Sequence, residues 1–549
     1  MSGNGNHKLH LPVLQAGGVL DAPLRLPGAA TPEGRELPAL ERPPEGTGPV
    51  RASSYVVYVD LPDDGERMLL THTYTGAYDR VSRRVATYVR SLEGGPAPRP
   101  LYGAWSPEPP VDGEVVTPSE ATRERLFRRG YLTRMTREEE EAYFSLIASR
   151  IHHLTLQRQP GYVLMPTYQC NLRCAYCFQD HMRTNPAFSH LLRSMSTAMV
   201  DRIFRGMDQI DAAHGIDLAH RPPRGITLFG GEPLLAQSRP LIDYIMKKAA
   251  ESGGATFTAV SNCTELHAYR DVLGPKGIAS VQVTLDGPPE EHDQRRIYAD
   301  GSGSFARIAE NVTMALERGT VISARMNIDR GNVGRLPVLA EEFQRRGWDR
   351  FPNFSAYVAA VHAANDNVEK RSTLDTWELG QAIADLQERF PAMALINKPD
   401  SGLLQRVRGL FEQRADPMPL LKSSFCGAHN TMYVIDAFAD IYACWERTGD
   451  AKTRIGAIAE DGEVRMNSAL FNMWRRRNVT TNPVCRQCRY NTYCGGGCAA
   501  YAEQQHGGDM FTNFCDGYGK RFRDAVARAY GDFVAGAPAR QAAESVCDM

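Results

Sequence analysis

A chain of 549 residues is too long for one small domain and points to three or four units. Its formal net charge of −1 gives no bulk electrostatic signal for a nucleic-acid partner. No apolar run approaches a bilayer span, and the opening "MSGNGNHKLHLPVLQAGG" lacks the apolar stretch of a secretory signal, so a cytoplasmic protein with no membrane partner is expected.

Residues 1–50 are rich in Pro, Gly and Ala without periodicity and read as a flexible arm. Next, "SYVVYVDLPDDGERMLLTHTYTG" places two β-branched or aromatic runs around Asp63-Asp64-Gly65, a hairpin pattern. Helical patterns follow at 78–92, at 118–129 behind the capping run Thr117-Pro118-Ser119-Glu120, and at about 136–153. Residues 51–155 therefore predict an α+β module of winged-helix-like build. Over 156–395, short apolar strands alternate with amphipathic helices. The strands are "GYVLMP", "GITLFGG", "ATFTAVSN", "IASVQVTLDG", "VISARMNID" and "FSAYVAAV", and the helices lie near 196–214, 238–252, 303–318, 335–346 and 373–389. The alternation predicts an α/β fold of parallel βαβ units. Six units make a partial (β/α)6, TIM-like barrel with its functional groups at the carboxyl ends of the strands. Residues 396–549 have short strands and dense cysteines, the pattern of a separate metal-rich domain.

Twelve cysteines need explaining in a reducing compartment, where structural disulfides are rare. Three sit at Cys170, Cys174 and Cys177, and seven lie between Cys426 and Cys515; Cys263 and Cys547 stand apart. Two such groups favour metal ligation. Cys170 closely follows the first barrel strand, and a C-x3-C-x2-C loop there can wrap three thiolates around one inorganic cluster. Zinc would want a closed set of four ligands. Three thiolates suit a [4Fe–4S] cube with one iron open to a substrate or cofactor. The bland alternative is three buried free thiols.

This run resembles the radical S-adenosylmethionine (SAM) family. Tyr176 fills the aromatic position before the third cysteine, which in that family packs near the adenine. "LFGGEPLL" is similar to the family's GGEP motif, with Gly230, Gly231, Glu232 and Pro233 at the end of the second strand. The glycines would let backbone approach the methionine ammonium, to which Glu232 would offer a negative charge. Ser261 and Asn262 close the third strand where the family has polar SAM contacts. In "VTLDGPPEEHDQRR", Thr284, Asp286 and Arg296 are further candidates, Arg296 for the carboxylate, although Asp286-Gly287 also reads as a plain turn and Arg296 as a surface charge. Arg325 and Asn327 in "SARMNID" stand similarly, and an arginine on a core strand calls for an anionic partner. The resemblance implies that Cys170, Cys174 and Cys177 hold a [4Fe–4S] cluster whose open iron binds SAM. Reduction, by a flavodoxin- or ferredoxin-type partner, would cleave SAM to methionine and a hydrogen-abstracting 5′-deoxyadenosyl radical.

The second group, "CRQCRYNTYCGGGC" plus Cys426, Cys444 and Cys515, is compatible in isolation with a zinc knuckle. As a whole it resembles the SPASM extension of radical SAM enzymes, which holds two auxiliary [4Fe–4S] clusters. The resemblance implies Cys485, Cys488, Cys494 and Cys515 on the outer cluster and Cys426, Cys444 and Cys498 on the inner one. Where the family has a glycine five residues before its second cysteine, this chain has Ala439, so a differently shaped turn is expected. Members with a closed inner cluster supply another cysteine upstream of the first, and none lies between Cys263 and Cys426. The inner cluster therefore has an open iron, or Cys263, Cys547 or a non-cysteine ligand completes it.

SPASM enzymes commonly modify ribosomally made peptides, so a precursor peptide is the expected partner, with residues 51–155 as a leader-peptide recognition element. The expected outcome is oxidation or cross-linking of side chains. An anaerobic sulfatase-maturase-like activity, forming formylglycine, is the alternative. That subgroup has a catalytic aspartate directly after the second SPASM cysteine. Here Trp445 and Glu446 follow Cys444, leaving Glu446 as a stand-in or as a mere surface carboxylate. A non-enzymatic, zinc-containing peptide-binding protein is the remaining alternative.

Overall fold

The computed structural model describes residues 20, 22–24, 44–94, 103–104, 108–111, 113–361, 372–399, 401–411 and 421–536. Near the amino end, β1 (Val56–Asp60), β2 (Arg67–His72) and β3 (Tyr78–Ser82) form an antiparallel meander, and Asp63-Asp64-Gly65 sits in the first turn. The helix expected over 78–92 starts later, because Tyr78–Ser82 pairs with Arg67–Thr71 and places Val81 opposite Met68. Helix α1 (Arg83–Ser91) begins where the Ser82 side chain accepts from Val85 N. Helix α2 (Glu120–Arg128) is capped by Ser119, and α3 (Arg137–Leu156) opens on a Thr136/Glu139 capping box.

The six expected strands are present: β4 (Gly161–Leu164), β5 (Arg224–Leu228), β6 (Ala255–Ser261), β7 (Ile278–Thr284), β8 (Val321–Ile328) and β9 (Phe354–Ala360). Each pairs in parallel with the next. Amphipathic helices α4 (Thr197–Ala213), α5 (Arg239–Glu251), α6 (Phe305–Glu317), α7 (Leu336–Arg345) and α8 (Thr376–Arg389) cross between or follow them. Their apolar stripes, such as Ile203, Phe204, Met207 and Ile210 on α4, join the strands in one core. Among the described residues no helix is long and apolar enough to cross a membrane.

The cysteine-rich region is less separate than its composition suggests. Its first strand, β10 (Met432–Ile435), pairs in parallel with β4 and carries the parallel sheet on into β11 (Asp440–Tyr442), β12 (Gly456–Ile458) and β13 (Val464–Met466). All four residues of β10 are buried, as a strand in mid-sheet requires. Of residues 1–50, the described Ala22–Pro23 runs antiparallel to Arg465–Met466, an ordered pairing inside the expected flexible arm.

The β10–β11 turn holds Ala439 at the position whose missing glycine put its shape in doubt. Ala439 adopts the left-handed conformation, φ 61°, and its N–H donates to Asp436 O at 3.0 Å. Asp436 Oδ1 accepts from Phe438 N at 2.9 Å and Asp440 N at 3.0 Å, holding the turn against the strain. Ala439→Gly removes about 1–2 kcal/mol of strain and loses about 0.4–1 kcal/mol to the freer unfolded chain. Denaturant unfolding is therefore expected to show a small net gain in stability, and a loss would contradict this reading of the turn.

Candidate active site

The loop after β4 carries Cys170 and lies against the end of β5. Gly231 N donates to Thr167 O at 3.0 Å and Glu232 N to Gln169 O at 2.7 Å. A Cβ on Gly230 would stand 2.4 Å from Thr167 O, and one on Gly231 2.3 Å from Gln169 O. Gly230 also holds φ +136°, closed to most side chains. The glycines thus first admit the cysteine loop's own backbone, a role the sequence reading did not give them. Gly230 and Gly231 still border the cavity; Pro233 does not.

Glu232 is 2% exposed, with its oxygens accepting from Ser261 Oγ at 2.7 Å, Asn262 N at 2.6 Å and Leu234 N at 2.9 Å. Burial pushes its carboxyl up to about 7, against the pull of those hydrogen bonds. Ser261 therefore positions Glu232. Asn262 Nδ2 donates to Asn171 Oδ1 at 2.9 Å and lies 3.9 Å from Cys170 Sγ.

Cys174 ends a short strand, Leu172–Cys174, that pairs antiparallel with Arg296–Tyr298 and sets Arg296 opposite Cys174. Arg296 Nη1 donates to the Tyr176 hydroxyl oxygen at 2.6 Å, and the Tyr176 hydroxyl donates to Asp286. Asp286 Oδ1 accepts from Asn327 N at 2.8 Å. Asp286 is fully buried behind Tyr176 and off the cavity wall, so it holds Tyr176 rather than reaching a ligand. Arg296 is buried too, not a surface charge. Burial pushes the Cys174 thiol up to about 12, with Arg296 opposing. Arg183 Nη2, unnoticed in the sequence, donates to Cys177 Sγ at 3.0 Å. Buried thiols next to fixed cations suit thiolates bound to a metal, which supplies the charge that burial otherwise denies them.

These groups share a cavity of about 510 Å³, within the range of small-molecule sites. Cys170, Cys174 and Cys177 border it, as do Thr284 and Arg325 from the ends of β7 and β8. The cysteine-rich region also contributes Trp445, Glu446 and Tyr501. The Trp445 ring packs on Phe229 at 5.7 Å, and Tyr501 Oη donates to Glu446 Oε1 at 3.5 Å. Glu446 is thus a cavity carboxylate; burial pushes its pKa up, while Arg325 and Arg447 hold it down. Its charge acts on Arg325, the core-strand arginine that called for an anionic partner. Trp445 and Tyr501 escaped the sequence reading, their signal being only proximity to Cys444 and Cys498.

Residues 164–332 match the Radical SAM superfamily. The chain carries a radical SAM domain. Over 345 residues the enzyme is 26% identical to the mycofactocin maturase MftC of Mycolicibacterium smegmatis, covering 61% of this chain and 76% of that relative. Over 386 residues it is 22% identical to the cysteine-type anaerobic sulfatase-maturating enzyme of Clostridium novyi, covering 65% and 93%. Among solved structures, native anSMEcpe with bound AdoMet aligns with a TM-score of 0.49 at 16% identity, covering 69% of this chain and 99% of that one.

The remaining cysteines of the chain fall into two neighbourhoods. Cys444 feels the charges of Cys426 and Cys498, and Cys485 those of Cys488, Cys494 and Cys515. Among the described residues no three His, Cys, Asp or Glu side chains gather closely enough to hold a single metal ion. An iron–sulfur cluster spreads its thiolates, one to each iron. Cys263 is fully buried with Sγ 3.8 Å from Ser261 O, and its charged neighbours are Glu232 and Arg296, so it lies behind the Glu232 wall of the cavity and away from the Cys426 group. Cys547 lies outside the described residues.

Proposed function

We propose that the enzyme is a peptide maturase that oxidises or cross-links side chains of a ribosomally made precursor. The observation carrying this reading is the shared cavity: the C-x3-C-x2-C loop borders it together with Trp445, Glu446 and Tyr501 of the cysteine-rich region. Relatives named for mycofactocin maturation, sulfatase maturation and biosynthesis of the bacteriocin subtilosin support a peptide or protein substrate.

When bound, the cluster and SAM would supply hydrogen-atom abstraction from an unactivated C–H bond. The chain's own residues would do the rest. Cys170, Cys174 and Cys177 would hold the cluster, with Arg183 balancing charge at Cys177. Glu232, Asn262, Thr284 and Arg296 would receive SAM, and the Arg296–Tyr176–Asp286 chain would fix the aromatic ring beside it. Trp445, Glu446, Tyr501 and Arg325 would face the peptide, with Glu446 taking the proton that oxidation releases. Cys426, Cys444 and Cys498, and the set Cys485, Cys488, Cys494 and Cys515, would hold auxiliary clusters that accept the electrons. The edge strand β3 pairs only with β2 among the described residues and would take a leader peptide as a further strand. A flavodoxin- or ferredoxin-type protein would be the reductant.

Co-expression with a short open reading frame beside the gene, followed by peptide mass measurement, tests this. The expected result is loss of two hydrogens per modified site, absent with Cys174→Ala. An unchanged peptide mass with both forms would overturn oxidative maturation of that peptide. Glu446 in the cavity also keeps formylglycine formation as a second reading, for which a sulfatase-derived peptide would instead yield an aldehyde.

A further inference from the structure

Arg477 follows the helix Ser468–Arg476 and is 3% exposed. All five of its N–H groups are used. Nε donates to Met510 O at 2.5 Å; Nη1 donates to Gly497 O at 3.1 Å and His429 Nε2 at 3.5 Å. Nη2 donates to Gly496 O at 3.3 Å and Thr512 O at 3.2 Å. His429 is fully buried, and its Nδ1 lies 3.0 Å from Trp474 O, which can only accept. Nδ1 therefore carries the proton, Nε2 offers its lone pair, and the ring is neutral. Every acceptor of Arg477 is thus uncharged.

A buried cation with neutral partners only is costly. Among the described residues no carboxylate pairs with Arg477; the charges acting on it are those of Cys485, Cys498, Cys426 and Cys494, drawn from both cysteine groups. Its hydrogen bonds reach the same loops. His429 lies three residues after Cys426, Gly496 and Gly497 lie between Cys494 and Cys498, and Met510 and Thr512 lead to Cys515. Gly495, Gly496 and Gly497 hold φ of +79°, +89° and +75°, a left-handed run that side chains would strain. A Cβ on Gly497 would meet Phe514 O at 2.0 Å. The fork of a guanidinium fits five acceptors; a lysine ammonium has three donors and no fixed fork.

We propose that Arg477 is a fixed cation shared by the two auxiliary iron–sulfur clusters, raising both reduction potentials together. This rests on the cluster assignments given under the proposed function. Each cluster gains a negative charge on reduction, and a buried positive charge beside both favours the reduced forms. Lys422 also acts on one cysteine of each group, Cys426 and Cys494, but its ammonium is exposed where it meets Phe425 O at 3.3 Å; Arg477 is the buried charge whose own side chain is bonded into the loops of both.

The test uses the full chain with Cys170, Cys174 and Cys177 replaced by Ala, so that only auxiliary clusters load. Iron and sulfide are counted, and the potentials are titrated by electron paramagnetic resonance, for this protein and for its Arg477→Gln and Arg477→Lys forms. Expected is full iron in Arg477→Gln, with both couples moved negative by about tenfold in their oxidised-to-reduced ratio, about 59 mV for one electron. Arg477→Lys should recover most of that shift. Unchanged potentials at full iron, a shift in one couple only, or an equal shift in Arg477→Lys would each overturn the proposal. Should Arg477→Gln fail to load iron, Arg477→Lys decides. Full iron at near-parental potentials supports the charge, and iron loss there shows that only the hydrogen-bond framework matters. Iron below two four-iron clusters in the parent overturns the cluster reading itself, and the role of Arg477 with it.

Discussion

Gly231→Ala is expected to abolish SAM cleavage, with at least a hundredfold loss, while leaving the rest of the molecule folded. The added Cβ would stand 2.3 Å from Gln169 O and 2.4 Å from Tyr168 O, and both are backbone atoms that no rotamer change can move. The loop must shift, breaking the Gly231–Thr167 and Glu232–Gln169 hydrogen bonds. Overpacking of this kind costs about 1–3 kcal/mol, and each lost hydrogen bond about 0.5–1.5 kcal/mol. Cys170 sits on the displaced segment, so iron at the first site should fall while iron held by the C-terminal cysteines stays. Gly380→Ala on α8 is the control, because a Cβ there meets nothing within 4 Å and should leave activity intact. Wild-type cleavage by Gly231→Ala would show that the glycine pair does not set the loop.

Glu232→Gln is expected to weaken SAM binding about 10–150-fold at pH 8, the range of a lost charge-assisted hydrogen bond of about 1.5–3 kcal/mol. On the proposed assignment the methionine ammonium needs the ionised carboxylate. Burial holds that carboxyl at about 7, so affinity should rise as pH climbs through 7, with proton uptake by buffer below that point and little above it. The unliganded protein should behave oppositely. The folded carboxyl is raised above its unfolded value, so between about 4.5 and 7 the native state binds the extra proton and stability falls as pH rises, by up to about 1.4 kcal/mol per unit. Calorimetric titration of SAM in two buffers of different ionisation enthalpy reads the proton directly. Glu232→Gln should bind without it, and a pH-independent wild-type affinity would place the ammonium elsewhere.

The parallel sheet and its helices were legible because each strand is a short apolar run closed by turn residues and each helix carries a stripe at period 3.6. Tyr78–Ser82 was misread because "YDRVS" has no helix breaker ahead of α1; only pairing with β2 makes it a strand. The docking of "MYVI" beside β4 was hidden for a similar reason, since a buried four-residue run does not name its partner. Within the site, the cysteines and GGEP could be read from spacing alone. Asp286 could not be told apart as a support for Tyr176, because only the fold shows its carboxylate already engaged. Glu446 could be named but not placed; Tyr501, which donates to it, and Arg325, whose charge acts on it, are distant in sequence. Arg477 gave no signal, since an arginine after a helix normally reads as solvated.

On the proposed function, this cavity brings SAM chemistry to a peptide side chain. The direct measurement is the isotope content of 5′-deoxyadenosine from the anaerobically reduced enzyme, given SAM and a deuterated candidate precursor peptide from any short open reading frame beside its gene. The expected product is 5′-deoxyadenosine carrying peptide deuterium, formed in step with modified peptide and absent with Cys174→Ala. 5′-Deoxyadenosine formed without deuterium, beside an unmodified peptide, would contradict it.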